Sequence, residues 1–190
     1  MTTLAEKIVA IDAALDRAGL DHAFGGALAL AFSVEEPRAT RDIDVNVFVP
    51  AGQAAEVFAA WPAEVDWSET DLGRATRDGQ VRLFWDDTPV DLFLSTHAFH
   101  AEARAHTREV PFAGVTIPVL GATELAVFKA FFSRTKDWAD IEAMIEVGSV
   151  DTHRALGWLV DLLGTDDERV TRFTGLLDHE RAVEPRFGLL

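Results

Sequence analysis

Apolar and polar residues alternate in the first two-thirds of this chain, whereas apolar residues recur every three or four positions in the last third. Alternation is typical of half-buried strands, and the longer period is typical of amphipathic helices. The alternating runs predict strands at 42–49, 81–85, 90–94, near 110 and at 115–119. The longer period predicts helices at 4–15, 53–61, near 97–106 and through most of 122–177, while residues 65–79 fit neither pattern. We therefore expect a mixed α/β part at 1–120 and a helical region at 121–190 that packs on it.

Two adjacent glycines separate a predicted short strand, 22–24, from an apolar stretch, 27–32, that is rich in helix formers. Because glycine has no Cβ, the backbone at Gly25 and Gly26 can approach phosphate oxygens closely. The start of the following helix would add N–H donors for an anion. The same pair could also form a simple tight turn, so the glycines alone do not decide between these interpretations.

Composition excludes several classes of function. The chain of 190 residues has 32 acidic and 17 basic residues, a formal net charge of −15, which disfavours general coating of nucleic acid. Cysteine is absent, which excludes disulfides, thiolate zinc sites and a cysteine nucleophile. No basic start followed by an apolar block is present, and no apolar run reaches the ~20 residues of a membrane span. We expect a soluble cytoplasmic protein with no membrane partner.

Three aspartates lie on predicted strands. Asp42 and Asp44 are two residues apart, so we expect both carboxylates on one face of their strand. Asp91 stands inside an apolar run, where an ionised carboxylate needs an ionic partner or a metal. If these strands are neighbours, three carboxylates converge, and such oxygen ligands suit Mg²⁺ ions that support in-line phosphoryl displacement. The competing interpretation is that Asp42 and Asp44 face solvent and Asp91 lies at an edge.

A second group of charged residues lies on the predicted helices after residue 122. Three cations are followed by two acids, in the order Lys129, Arg134, Lys136, Asp137 and Asp140. Lys129 follows apolar positions, so its ammonium could leave a buried face and meet phosphates. The alternative is a solvated helix face on which Lys136 and Asp140 form an ordinary pair four residues apart.

In this order, the motifs resemble those of a known superfamily. Residues 24–29 and 37–44 resemble the glycine pair and the R-x-T-x-D-hydrophobic-D signature of the DNA polymerase β-like nucleotidyltransferases. Residues 90–93 are similar to the strand that carries the third acid there. The block from Glu124 to Ile141 is similar to one found in the AbiEii/MenT-type toxin branch. The resemblance implies an α+β fold, with a mixed sheet flanked by helices and a C-terminal helical bundle.

The resemblance also implies roles for individual residues. Asp42, Asp44 and Asp91 would hold magnesium, two ions with bound NTP, and Asp91 would complete the metal site or help to activate the attacking hydroxyl. Gly25 and Gly26 would line the nucleotide phosphates. Where Gly26 stands, the superfamily often has serine, so a hydroxyl contact to phosphate would come from elsewhere, for example Ser33, or be missing.

The helical block is implied to complete the nucleotide site. Lys129 would contact the triphosphate as a catalytic residue, and Lys136, Asp137 and Asp140 would support nucleotide binding.

The function implied by the resemblance is magnesium-dependent transfer of NMP from an NTP to an acceptor hydroxyl, with release of pyrophosphate. The acceptor would be a tRNA 3′ end, and the protein would be a toxin with a cognate antitoxin. Two alternatives stay open. One is a catalytically silent nucleotide-binding or antitoxin-like module, and the other is an antibiotic nucleotidyltransferase with an acidic site for a cationic substrate.

Overall fold

The computed structural model describes residues 2–36 and 39–183, and only the backbone at 179–183. It divides into two compact units, the first ending at Gly121 and the second beginning at Ala122. Each unit has its own secondary structure and is described separately. None of the helices in the described ranges is both long and apolar enough to span a bilayer.

The first unit is built on a seven-stranded mixed sheet. The strand order is β3-β4-β5-β2-β1-β7-β6. The pairs β2/β5 and β1/β7 are parallel, and the remaining neighbours are antiparallel. The strands are β1 (His22–Phe24), β2 (Ile43–Pro50), β3 (Val65–Asp66), β4 (Gln80–Trp85), β5 (Thr88–Ser95), β6 (Arg108–Phe112) and β7 (Val115–Val119). The strands expected from alternation are therefore confirmed, to within a residue or two at their ends.

Among the described residues of this unit, five α-helices and one short 3₁₀ helix, Ala51–Gln53, accompany the sheet. The α-helices are α1 (Leu4–Arg17), α2 (Gly26–Val34), α3 (Ala54–Ala60), α4 (Glu69–Asp78) and α5 (Phe99–Ala105). The helix α4 was not predicted, because Ala75 is its only buried residue and the segment has few apolar residues from which to read a period. The sequence signals for this helix are at its ends. Ser68 and Asp71 form a capping box at the N-terminus, and Gly79 ends the helix with φ +68°.

A tight hairpin joins β4 and β5. Trp85 is opposite Thr88, so the loop contains only residues 86–87 and not the four residues that the apolar runs suggested. Lys7 of α1 clamps this loop: its Nζ donates to the Trp85 carbonyl at 2.7 Å and to Thr88 Oγ1 at 3.1 Å, and pairs with Asp86 at 3.1 Å. The ammonium is buried, and these three acceptors compensate its lost hydration.

The second unit is helical. It contains α6 (Ala122–Phe132), α7 (Thr135–Glu146), α8 (Thr152–Leu163) and α9 (Glu168–Val183). Its core includes the large, fully buried side chains of Trp138, Ile141, Leu159 and Phe173. A mixed sheet with flanking helices, followed by C-terminal helices, confirms the predicted fold class.

Candidate active site

A row of charged side chains crosses three adjacent strands. Asp44 of β2 is directly opposite Asp91 of β5, and Asp91 is directly opposite Arg82 of β4. Because residues directly opposite on neighbouring strands share a face of the sheet, all three side chains project from one side. The next residues along these two strands, Val45 and Leu92, are buried and point to the other side of the sheet. The strand of Asp91 therefore lies beside that of Asp44, as the three-carboxylate hypothesis requires.

Arg82 forms a two-bond fork with Asp91. Its Nε donates to Asp91 Oδ1 at 2.7 Å, and its Nη2 donates to Oδ2 at 2.6 Å. The side chain of Asp91 is 16% exposed and that of Arg82 is 53% exposed. These bonds and the charge of Asp91 raise the pKa of Arg82, and the charges of Asp42 and Asp44 raise it further. All three carboxylates are thus within electrostatic reach of one guanidinium.

Asp42 precedes β2, which begins at Ile43, rather than lying on the strand. A hydroxyl orients it: Thr40 Oγ1 donates to Asp42 Oδ1 at 2.8 Å and accepts from the Asp42 N–H at 3.3 Å. Thr40 belongs to the same signature as the two aspartates. Pro37 and Arg38, which open that signature, lie outside the described residues.

The glycine pair lies directly against Asp44. The Gly25 N–H donates to the Asp44 carbonyl at 2.9 Å, and α2 starts at the next residue. Gly26 has φ +53°, and a Cβ built there would lie 1.8 Å from Asp44 Oδ2. A side chain is therefore excluded at Gly26 by the carboxylate as well as by the backbone conformation. A serine at this position would require the Asp44 carboxylate or the start of α2 to move.

Ser33 does not replace that hydroxyl. It is buried in α2, and its Oγ donates to the Ala29 carbonyl four residues earlier at 2.8 Å. A serine inside a helix can satisfy its hydroxyl on the preceding turn, so this geometry favours the other alternative, in which the hydroxyl contact to phosphate is missing. Backbone N–H groups at the start of α2 are the donors that this segment offers to an anion.

The second unit gathers the charged residues that the sequence singled out there. Lys129 Nζ donates to Asp140 Oδ2 at 2.6 Å and lies 3.5 Å from Asp137 Oδ1. Arg134 reaches the other oxygen of Asp137, with Nε to Oδ2 at 2.7 Å. Asp137 is fully buried, and Lys129 is nearly so. Lys136 is exposed, and Asp140 pairs with Lys129, so the solvated pair of Lys136 and Asp140 is not the arrangement found.

The aspartates of the first unit have the ligand chemistry of a divalent-metal site, although their carboxylate oxygens do not all lie within 4.8 Å of one another. Asp42, Asp44 and Asp91 offer carboxylate oxygens, the ligands that Mg²⁺ prefers. Gly26 leaves the space in front of Asp44 Oδ2 free of its own side chain, which a Cβ would fill. Asp91 would share its oxygens with Arg82, so the three acids are not equivalent as ligands.

Two contributors to this site were missed from the sequence. Arg82 was assigned no role, and a turn at 86–89, as the apolar runs suggested, would put it opposite Phe93. Because the loop has only two residues, the register between β4 and β5 puts Arg82 directly opposite Asp91. The signal was the acidic pair Asp86 and Asp87, since short polar residues of this kind favour tight hairpin loops. Thr40 was quoted in a motif without the contact to Asp42 that it makes.

No family model matches the chain, and no curated protein matches it in sequence. Several solved structures resemble it in fold. The solution structure of the antibiotic-resistance factor ANT(2'')-Ia aligns over 95% of this chain and 98% of its own, with 17% identity and a TM-score of 0.61. An antigenic nucleotidyltransferase-like protein from Paracoccidioides brasiliensis aligns over 93% and 88%, with 15% identity and a TM-score of 0.52. The chain has the nucleotidyltransferase fold.

Lincomycin-bound LnuA, a lincosamide antibiotic adenylyltransferase, is a further similar structure. It aligns over 76% of this chain and 98% of its own, with 10% identity and a TM-score of 0.50. At such identities the likeness is one of fold. The nucleotidyltransferase fold agrees with the superfamily resemblance of residues 24–44 and 90–93.

Proposed function

We propose that this protein transfers a nucleoside monophosphate from an NTP to an acceptor hydroxyl. One observation carries the proposal: Asp44 and Asp91 are directly opposite on neighbouring strands, and the Gly25–Gly26 backbone lies against Asp44. This arrangement puts carboxylates of the kind that bind Mg²⁺ beside backbone N–H groups of the kind that bind phosphate. The nucleotidyltransferase fold supports the same reaction.

The metal role belongs to the acids of the first unit. Asp42 and Asp44 would hold Mg²⁺, with two ions when NTP is bound, and Asp91 would complete the set. The metal would supply positive charge at the α-phosphate, which stabilises the charge that develops in the transition state. Thr40 holds the Asp42 carboxylate in place through its 2.8 Å hydrogen bond.

The protein's own groups would support the other parts of the reaction, which are proton transfer and phosphate binding. The acceptor oxygen attacks the α-phosphorus, the bond to the bridging oxygen of pyrophosphate breaks, and pyrophosphate leaves. Asp91 is the candidate to receive the proton of the attacking hydroxyl. The N–H groups at the start of α2 would bind phosphate oxygens, because the first N–H groups of a helix have no acceptor within it.

The nucleotide-binding roles of Lys129, Lys136, Asp137 and Asp140 stay predictions that rest on the resemblance. An ammonium has three N–H donors, and Asp140 uses one of them in a 2.6 Å bond. Lys129 therefore keeps capacity for a phosphate oxygen while it stays paired.

Two classes of acceptor are proposed. The resemblance to the AbiEii/MenT branch favours a tRNA 3′ end, a toxin role and a cognate antitoxin. The second candidate is a cationic small molecule such as an aminoglycoside. Three acids at one site and a net charge of −15 favour this acceptor, and so does the fold shared with ANT(2'')-Ia, whose complex with adenylyl-2''-tobramycin is among the similar structures.

The test is a transfer assay. The purified protein is incubated with each α-labelled NTP and Mg²⁺, together with total RNA or with a panel of aminoglycosides and lincosamides. Asp42→Asn and Asp44→Asn should lose at least 100-fold in labelling, because the carboxylates would be removed from the reacting centre. Asp87→Asn, an exposed carboxylate in the β4–β5 loop, is the matched control and should keep full labelling.

Labelled RNA or labelled antibiotic identifies the acceptor class. Equal labelling by the wild type and by both variants would contradict the proposed site. NTP binding without transfer to any acceptor would instead favour the catalytically silent module.

A further inference from the structure

We infer that Arg82 is a built-in counter-ion that competes with the divalent metal for Asp91, so that the site binds metal weakly until nucleotide arrives. The inference rests on the proposed metal role of Asp42, Asp44 and Asp91. It adds a residue, Arg82, that neither the sequence motifs nor the fold comparison assigns. The competition would set the metal affinity of the nucleotide-free protein.

The geometry of the fork is the first argument. Arg82 donates to both Asp91 oxygens, at 2.7 and 2.6 Å, and thereby occupies the two lone pairs that face it. A metal that uses these oxygens must displace the guanidinium or bind beside a positive charge. Either outcome costs binding free energy, since two cations share one carboxylate.

The surroundings of Arg82 are the second argument. Its side chain is half exposed, so it can leave Asp91 and remain hydrated. The neighbouring residues on the same face of β4, Gln80 and Phe84, are exposed as well. The guanidinium thus has open space beside the site, unlike Lys7, whose ammonium is buried in the hairpin clamp.

The charge of the row is the third argument. Asp42 and Asp44 also act on Arg82 and raise its pKa, so the guanidinium partly neutralises all three acids. An NTP brings negative phosphate oxygens, which offer Arg82 a second acceptor of the kind that guanidinium groups bind well. Transfer of Arg82 from Asp91 to a phosphate would couple metal binding to nucleotide binding.

Metal affinity measured without nucleotide tests the inference. Mn²⁺ alone serves as the probe, with free Mn²⁺ followed by electron paramagnetic resonance and stability by thermal unfolding. Arg82→Gln should bind Mn²⁺ about tenfold more tightly than the wild type, the effect of removing one charge a few ångströms from a divalent ion in water. It should also unfold at a lower temperature without metal, because the acids lose their counter-ion.

A matched control exists on α4. Arg77 forms the same two-bond fork with Asp78, at 2.8 and 2.6 Å, and is exposed. Arg77→Gln removes the same charge and should leave Mn²⁺ affinity unchanged. Arg82→Lys keeps the charge without the fork and should give an intermediate affinity. In an Asp91→Asn background, Arg82→Gln should have less than half of its effect.

Unchanged or weaker Mn²⁺ binding by Arg82→Gln would overturn the inference, as would an equal gain in Arg77→Gln. The proposed function fails separately, in the transfer assay. Tighter Mn²⁺ binding by Arg82→Gln with no transfer to any acceptor would keep this inference and reject the enzyme. If the wild type transfers NMP but Arg82→Gln binds Mn²⁺ no more tightly than the wild type, the enzyme is kept and this inference is rejected.

Discussion

The two units of this chain arrange their acids in opposite ways. In the first, Asp42, Asp44 and Asp91 lie within electrostatic reach of Arg82, and all three carboxylates are only partly buried. In the second, the buried Asp137 and its neighbour Asp140 meet two cations and are balanced. A buried carboxylate requires balance, because leaving it unpaired costs several kcal/mol. Partly exposed acids keep some of their hydration, and they stay accessible to a cation from solution.

The largest expected effect comes from Gly26, whose backbone lies against Asp44. Gly26→Ala puts a Cβ where Asp44 Oδ2 lies, so the carboxylate or the helix start must move. A displacement of about 1 Å at a reacting centre costs on the order of 100-fold in rate. We expect a loss of 100-fold or more in NMP transfer, measured as initial rate.

The variant Gly19→Ala separates the effect of a positive φ from the effect of the contact with Asp44. Gly19 has φ +67°, close to that of Gly26, but a Cβ there meets nothing within 4 Å. This control should cost about 1 kcal/mol in unfolding free energy and leave transfer unchanged. A Gly26→Ala protein with full activity would show that Asp44 does not act from the position described.

The next effect tests the balanced cluster. Lys129→Met leaves Asp140 without its ammonium and Asp137 with Arg134 alone, so we expect a loss of about 3 kcal/mol in unfolding free energy by urea denaturation. Lys136→Met removes an exposed charge from the same region and should change stability by at most ~0.5 kcal/mol. Equal stability of both variants would mean that the cluster does not stabilise the second unit.

A smaller effect sharpens the role of Thr40. Thr40→Val removes the hydroxyl that holds Asp42 and keeps the side-chain shape, so transfer activity should fall about tenfold with little change in stability. Thr40→Ser restores the hydroxyl and should recover most of the rate. If valine and serine behave alike, the hydroxyl does not orient Asp42.

The smallest effect concerns a partly buried ion pair at the start of α9, between Asp167 and Arg169. Hydrogen bonds from the Arg169 side chain and backbone lower the pKa of Asp167 to about 2, from its usual 3.8. Since the folded pKa is the lower one, this pair stabilises the protein above pH 4 and loses its contribution as pH falls toward 2. Carboxyl ¹³C NMR titration should find this low midpoint.

Arg169→Gln should move the Asp167 midpoint back toward 3.8. Arg172→Gln, one turn further along α9, should leave it in place. A normal midpoint in the wild type would show that the Asp167–Arg169 contact does not persist in solution.

Sequence patterns predicted the strands that carry the proposed site better than they predicted the contacts between them. Alternation placed β2 and β5 and their acids, because strand periodicity is a local property of a few residues. Pairing depends on contacts between distant residues, and a shift of two positions in the hairpin loop decides whether Arg82 faces Phe93 or Asp91. No local pattern in β4 reveals that choice.

Two further differences between the sequence-based predictions and the structure concern helices. Helix α4 is held by its caps rather than by an apolar face, so periodicity did not find it. The buried cluster of the second unit depends on contacts across α6 and α7, from Lys129 to Asp140, and the sequence suggested only a pair within α7. For the buried cluster, the missing information was a contact between elements, which composition and spacing do not contain. For α4, it was the capping signal at the two ends of the helix, which is local but is not an apolar period.

The clamp that Lys7 makes on the β4–β5 loop has a practical consequence. Three acceptors around one ammonium fix which residues of the hairpin face each other, and so fix Arg82 opposite Asp91. The electrostatics of the acid row therefore depend on the first helix, far away along the chain. Shortening the protein from its N-terminus past Lys7, or fusing a partner there that displaces α1, would disturb the site while leaving every proposed site residue in place.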